Sequence, residues 1–194
     1  MIVEPLDSKP LLEPMIYTLA QINQMDRPQF IQALGEIFEH TPTIADRVWH
    51  QRPFTSIEEL HQKMMVVVMG FDDAQKLALV RAHPDLGSKV KMAAASVQEQ
   101  AGVGLDRLSA SEFARFQQLN QSYLEKFNFP LIIAVKNHTK SSILEAFDRR
   151  LENSAEVELA TAIEEISQIA RFRLLAIVDS PSETLRERVE SHIP

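Results

Sequence analysis

Apolar residues along the chain recur mostly at steps of three and four, the spacing that gathers side chains on one face of a helix, so helices should dominate. Helices are predicted over Pro14–Met25 and from a cap at Asp26, the second carrying Phe30, Leu34, Ile37 and Phe38 on one face. Pro42 opens a short helix through Trp49. Ser56-Ile57-Glu58-Glu59 has the form of a capping box, with that helix running to about Met69, and Asp72 caps another that reaches Arg81. From Ala82 to Leu108 the periodicity breaks up around His83, Pro84, Gly87, Gly102 and Gly104, predicting loop with a short helical piece near Ser96–Gln100. Ser109 starts a long helix with Phe113, Phe116, Leu119, Tyr123 and Phe127 at helical spacing. Helices over Ser141–Leu151 and about Glu156–Val178 follow, and a short one after Pro181.

One apolar run does not fit a helix. Phe127–Val135 is continuous and broken by Pro130, and without partner strands it reads as an extended buried connector. The predicted fold is all-α: a single-domain helical bundle with that connector inside it, residues 14–194, preceded by an arm of residues 1–13 that carries Pro5 and Pro10.

The last long helix shows a second exception. Leu159, Ile163, Ile166, Ala170 and Ile177 form an inward stripe, and Arg173 occupies its one remaining position. A guanidinium on an inward face is costly unless it is paired or lines a wet pocket. Both readings stand on position alone: a buried pair with a carboxylate, or a ligand contact.

Composition narrows the chemistry. The 194 residues, 45% hydrophobic and 24% charged, suffice for one globular core. A net charge of −7 argues against a nucleic-acid surface. With no cysteine, disulfides, thiolate zinc sites and cysteine nucleophiles are excluded. No signal-peptide pattern opens the chain, no apolar run reaches membrane-spanning length, and Ser191-His192-Ile193-Pro194 is not a peroxisomal address, so a cytoplasmic protein without membrane contact is expected.

Six histidines include no His-Glu-x-x-His pair, and neither a phosphate loop nor a nucleophile elbow is present. His83 is the strongest candidate, since Pro84 fixes it where a helix meets a loop. Ser96 and Glu99 also have the capping-box form. Yet they share a helical face three residues apart, so capping and joint ligand contact both remain open.

The order of short motifs carries a resemblance. Glu39-His40-Thr41-Pro42, Arg52-Pro53-Phe54, Arg81-Ala82-His83-Pro84-Asp85-Leu86-Gly87 and Ser96-x-x-Glu99-Gln100-Ala101-Gly102 come first. Leu119-Asn120-x-x-Tyr123, Lys126-Phe127-x-Phe129-Pro130-Leu131-Ile132-Ile133-Ala134 and Ile169-Ala170-Arg171-Phe172-Arg173-Leu174 follow. Together they resemble the 2-oxo-4-hydroxy-4-carboxy-5-ureidoimidazoline (OHCU) decarboxylases over about Leu19 to Ile177. The resemblance implies an all-helical homodimer that converts OHCU to (S)-allantoin in urate breakdown with no cofactor and no metal. It implies His83 as catalytic histidine, an imidazole titrating near neutrality that relays protons. Glu99 would accept ureido or ring N–H groups with Ser96 and Gln100 beside it, and Arg173 would hold oxygen atoms in a forked contact. Pro84 and the connector Phe129, Leu131, Ile132, Ile133 and Ala134 would bind substrate, the connector through free backbone groups. Two other readings stay open: a helical binding module that has lost the reaction, and an enzyme acting on a related ureido compound.

Overall fold

A computed structural model describes residues 16–87 and 94–179. The expected arm, the opening residues of the Pro14–Met25 helix and the expected helix after Pro181 lie outside the described residues. Among the described residues, the element order is β1 (Tyr17–Thr18), α1 (Leu19–Gln24), α2 (Arg27–Leu34), α3 (Thr43–Trp49), α4 (Ile57–Met69), α5 (Asp73–Arg81), α6 (Ala94–Gly102), α7 (Ala110–Phe127), α8 (Lys140–Arg150), α9 (Ala155–Ile177) and β2 (Val178–Asp179). Single 3₁₀ turns stand at Leu105–Arg107 and Val135–Asn137.

Most helix starts follow from local chemistry. The side chains of Asp26, Asp72 and Ser109 each accept the N–H of the residue three positions on, and Gln29, Gln75 and Glu112 reach back to the capping N–H. Ser56 does half of this: its Oγ accepts from the Glu59 N–H at 3.0 Å, while the Glu59 carboxylate goes to the Thr55 N–H at 2.7 Å. The first helix starts later than its sequence pattern suggests. Thr18 is its cap, and Tyr17 and Thr18 pair in parallel with Val178 and Asp179, so both ends of the predicted helical stretches there are extended. The pairing ties the two ends of the described chain together.

The core is built around α9, which packs on α4, α5 and α7. Its predicted stripe is buried at Ile163, Ile166 and Ala170, widened by Ala162, Ile169 and Leu174, while Leu159 and Ile177 are half-buried. Arg173 lies on that stripe at 5% exposure. α7 ends at Asn128, whose left-handed backbone (φ 60°) turns the chain out of the helix. Residues 129–135 then run through the core, all buried and outside any helix or strand until the turn at Val135. This is the expected connector.

Candidate active site

Four parts of the fold converge on one pocket: the turn after α5, helix α6, the connector and the C-terminal half of α9. His83 leaves α5 with its ring turned back on it, Nδ1 lying 3.0 Å from the Leu79 carbonyl. A carbonyl only accepts, so Nδ1 carries the hydrogen and Nε2 presents a bare lone pair. That Nε2 is buried without a partner among the described residues. Burial pushes His83 down to about 4, against the opposing pull of the Leu79 bond and Glu39. At neutral pH the ring is therefore an uncharged acceptor, not the imidazole titrating near neutrality expected from the sequence.

The turn holding His83 is clamped on both sides. Asn120 of α7 donates to the Leu86 carbonyl at 2.8 Å, and the Gly87 N–H donates to Gln100 Oε1 of α6 at 2.9 Å. Gly87 has φ +66°, and a Cβ there would stand 3.0 Å from Leu108 Cδ1, so the turn needs glycine.

Arg173 reaches across to α6 and to the loop after α2. Its Nε and Nη2 grip both oxygens of Glu99 at 3.0 and 2.9 Å, and Nη2 also donates to Ser96 Oγ at 2.9 Å. Its Nη1 donates to Glu39 Oε2 at 3.0 Å and to the Glu36 carbonyl at 3.3 Å. All five guanidinium N–H groups are thus engaged. Ser96 Oγ in turn donates to Glu39 Oε2 at 2.7 Å. Because α6 begins at Ala94, Ser96 stands inside the helix, so it serves this cluster and not a helix start. Glu39 is fully buried. Burial pushes its carboxyl upward, but the Ser96 hydroxyl and the Arg173 guanidinium hold it below the ordinary carboxylate value. With Glu39 and Glu99 at −1 each, Arg173 at +1 and His83 neutral, the cluster carries a net charge of −1.

The connector forms the opposite wall. Arg150 Nη1 donates to the Ile132 carbonyl at 2.6 Å, and Glu165 accepts the Ala134 N–H at 2.7 Å. Those two backbone groups are therefore not free, contrary to expectation. Among the described residues, the N–H groups of Leu131, Ile132 and Ile133 have no partner, although a buried amide without one is rare.

The structure thus brings His83, Pro84, Ser96, Glu99, Gln100, Leu131, Ile132, Ile133 and Arg173 to one pocket. Phe129 and Ala134 are not there. The Phe129 ring stacks on Phe127 at 5.8 Å and meets Tyr123 edge-on at 6.2 Å, making it part of the aromatic core, and Ala134 faces Glu165. Sequence reasoning missed Leu86, Val135 and Ile169, which complete the apolar lining. It also missed Glu39, whose only signal was its place in the Glu39-His40-Thr41-Pro42 motif. The cavity is about 30 Å³, room for one or two water molecules. A wider cavity of about 570 Å³, lined by Ile37, Val103, Lys136 and Ile177, lies on the other side of the Arg173–Glu99 pair.

A buried imidazole with an unpartnered Nε2 lines the same cavity as a forked ion pair and the connector, an arrangement suited to proton transfer. The OHCU decarboxylase profile matches residues 23–175, and the chain belongs to that family. It is similar to the 2-oxo-4-hydroxy-4-carboxy-5-ureidoimidazoline decarboxylase of Haloferax volcanii, with 43% identity over 157 residues, 81% of this chain and 94% of that protein. The Uric acid degradation bifunctional protein PucL of Bacillus subtilis is 42% identical over 177 residues, 91% of this chain but 36% of that protein. A solved (S)-allantoin synthase superposes with a TM-score of 0.69 at 29% identity, over 84% of this chain and 55% of that one. Among the described residues no helix is long and apolar enough to cross a membrane.

Proposed function

We propose that this protein is a decarboxylase that converts OHCU to (S)-allantoin in urate breakdown, with no cofactor. The observation that carries this reading is the unpartnered His83 Nε2, on a residue that lines the same pocket as Glu99, Arg173 and the connector residues Leu131, Ile132 and Ile133. Family membership supplies the substrate. A cytoplasmic homodimer accords with the family resemblance, and the domain is taken as residues 14–194 behind an arm of residues 1–13.

The reaction needs little beyond proton handling. The departing carboxylate sits on a ring carbon that also bears a hydroxyl and adjoins a C=N bond. When that C–C bond breaks, CO2 leaves and its electron pair enters the C=N system, whose nitrogen takes up a proton from water, giving an enol-type intermediate. The hydroxyl proton then leaves as a carbonyl forms, and the neighbouring carbon takes a proton from one face. His83, neutral with an open Nε2, is suited to accept the hydroxyl proton and return it to carbon. Glu99 accepts ureido or ring N–H groups, with Ser96 and Gln100 beside it. The Leu131, Ile132 and Ile133 amides donate to ring or ureido oxygens. Arg173 acts first through Glu99, since in the resting protein its fork is closed on that carboxylate.

The test is to generate OHCU in situ from urate with urate oxidase and hydroxyisourate hydrolase, and to follow allantoin by circular dichroism. Rapid (S)-allantoin that is lost in His83→Ala supports the reading. Slow racemic product at the spontaneous rate from the wild type overturns it.

A further inference from the structure

Glu39 is the most deeply buried charged group of the cluster, and no step of the proposed reaction uses it. It lies in the loop between α2 and α3, far in sequence from its partners on α6 and α9. Its contacts divide the Arg173 guanidinium into two edges. The Nε/Nη2 edge points to Glu99, at 3.0 and 2.9 Å, on the side of the pocket. The Nη1 corner is held from behind by Glu39 and the Glu36 carbonyl. The same Glu39 oxygen receives the Ser96 hydroxyl, which also accepts from Arg173.

This division matters once substrate binds. Glu99 cannot keep both oxygens on Arg173 and also accept substrate N–H groups at full strength. As it turns to substrate, the Nε/Nη2 edge is released, and a flexible arginine without another anchor would follow its counter-ion. We propose that Glu39 is the positioning residue of this site: it anchors the Nη1 corner of Arg173 and the Ser96 hydroxyl, so that the forked edge stays aimed into the pocket when Glu99 engages substrate. Glu39 itself touches no substrate atom. Its carboxylate also offsets the guanidinium in a site where Arg173 alone would oppose protonation of His83. The charged and titratable groups that face this region are Glu39, Glu99, Arg173 and His83, with His40 at 4.0 Å from Glu39 Oε1.

This inference rests on the proposed decarboxylase reading, and its test is built to separate the two. Glu39→Gln keeps the shape of the side chain and removes its charge. Turnover of in-situ OHCU should fall tenfold or more in kcat, with part of the product racemic, while the melting transition stays cooperative. Without substrate, ¹³C NMR titration of the His83 ring should show its protonation moving to lower pH than in the wild type, because a nearby negative charge is gone. A Glu39→Gln protein with wild-type kcat and an unmoved His83 titration overturns the proposal and leaves the decarboxylase reading standing. A wild type without activity overturns the decarboxylase reading, while the NMR titration still decides on Glu39. If Glu39→Gln does not fold, Glu39→Asp decides. That variant keeps the charge but draws the carboxylate back by one methylene, and the proposal requires a folded protein of lowered kcat. Wild-type kcat in Glu39→Asp, or failure of both variants to fold, makes Glu39 a core ion-pair partner and overturns the proposal.

Discussion

Replacing Arg150 with methionine tests how the connector is held. Arg150 is 5% exposed at its side chain and Glu158 is fully buried. Nε and Nη2 of Arg150 donate to Glu158 Oε1, the former at 2.7 Å, and Nη1 donates to the Ile132 carbonyl at 2.6 Å. Tyr123 donates its hydroxyl to the same Glu158 oxygen, and Asn153 donates to the other at 2.7 Å. Burial raises the Tyr123 hydroxyl far above its ordinary value, so it remains a donor at every working pH. Arg150→Met leaves a buried carboxylate with neutral donors only. Breaking such a pair costs about 3–5 kcal/mol. At about 2–4 °C per kcal/mol for a chain of this size, a loss of about 4 kcal/mol lowers Tm by about 8–16 °C. The double variant Arg150→Met/Glu158→Leu removes the uncompensated charge and should recover part of that loss, the remainder reflecting Tyr123, Asn153 and the Ile132 carbonyl left without their partners. Turnover should stay low in both variants, since neither restrains the Ile132 carbonyl. Urea melts and calorimetry read the first quantity, and allantoin formation reads the second. A loss below about 1 kcal/mol in Arg150→Met, or a double variant no more stable than the single, refutes the reasoning.

Two further outcomes follow from the site. His83 has a folded value of about 4 against an ordinary 6.5, so on acidification the unfolded chain takes up the proton first. Stability should therefore fall as pH drops from about 6.5 to about 4, by up to roughly 3 kcal/mol. His83→Asn should flatten that part of the curve of urea midpoint against pH, and an unchanged slope refutes it. Arg173→Lys should lower both turnover and Tm, because an ammonium cannot grip both oxygens of Glu99 and reach Glu39 together. Unfolding without any folded, weakened enzyme would make Arg173 a core pair alone, while wild-type kinetics would remove its fork from the mechanism.

What the sequence shows and hides follows the range of the interactions. The caps at Asp26, Asp72 and Ser109 are legible because both partners lie three residues apart. The Ser56 box is half wrong for an equally local reason: Thr55, one residue earlier, offers Glu59 both an N–H and a hydroxyl. The connector is legible from its unbroken apolar run and Pro130. Which of its amides remain free is not, because Arg150 and Glu165 come from helices that follow it. Phe129 reads as a site residue from its motif; its ring packs on aromatic neighbours of α7, and it also lines a cavity of about 410 Å³ together with His83 and Pro84. For Glu39 the motif gave a place but no role, since its burial depends on Arg173, 134 residues away, and on Ser96, 57 residues away.

Helix α9 explains how the site and the core come to share one frame. Glu158, Glu165, Ile169 and Arg173 follow at spacings of seven, four and four, so they lie along one stripe of the helix. Each holds or lines the same region: Glu158 through Arg150 to the Ile132 carbonyl, Glu165 to the Ala134 N–H, and Ile169 and Arg173 at the pocket itself. Glu158 and Arg173 are 15 residues apart, about 22 Å of helix, which spans the length of the connector. The two buried ionic clusters differ in one respect. Around Glu158 one guanidinium meets one carboxylate, whereas around Arg173 one guanidinium meets two. A balanced buried pair is explained by holding the wall in place. An unbalanced one is costly for folding, and next to a bare imidazole it fits the proposed proton-transfer role of the site.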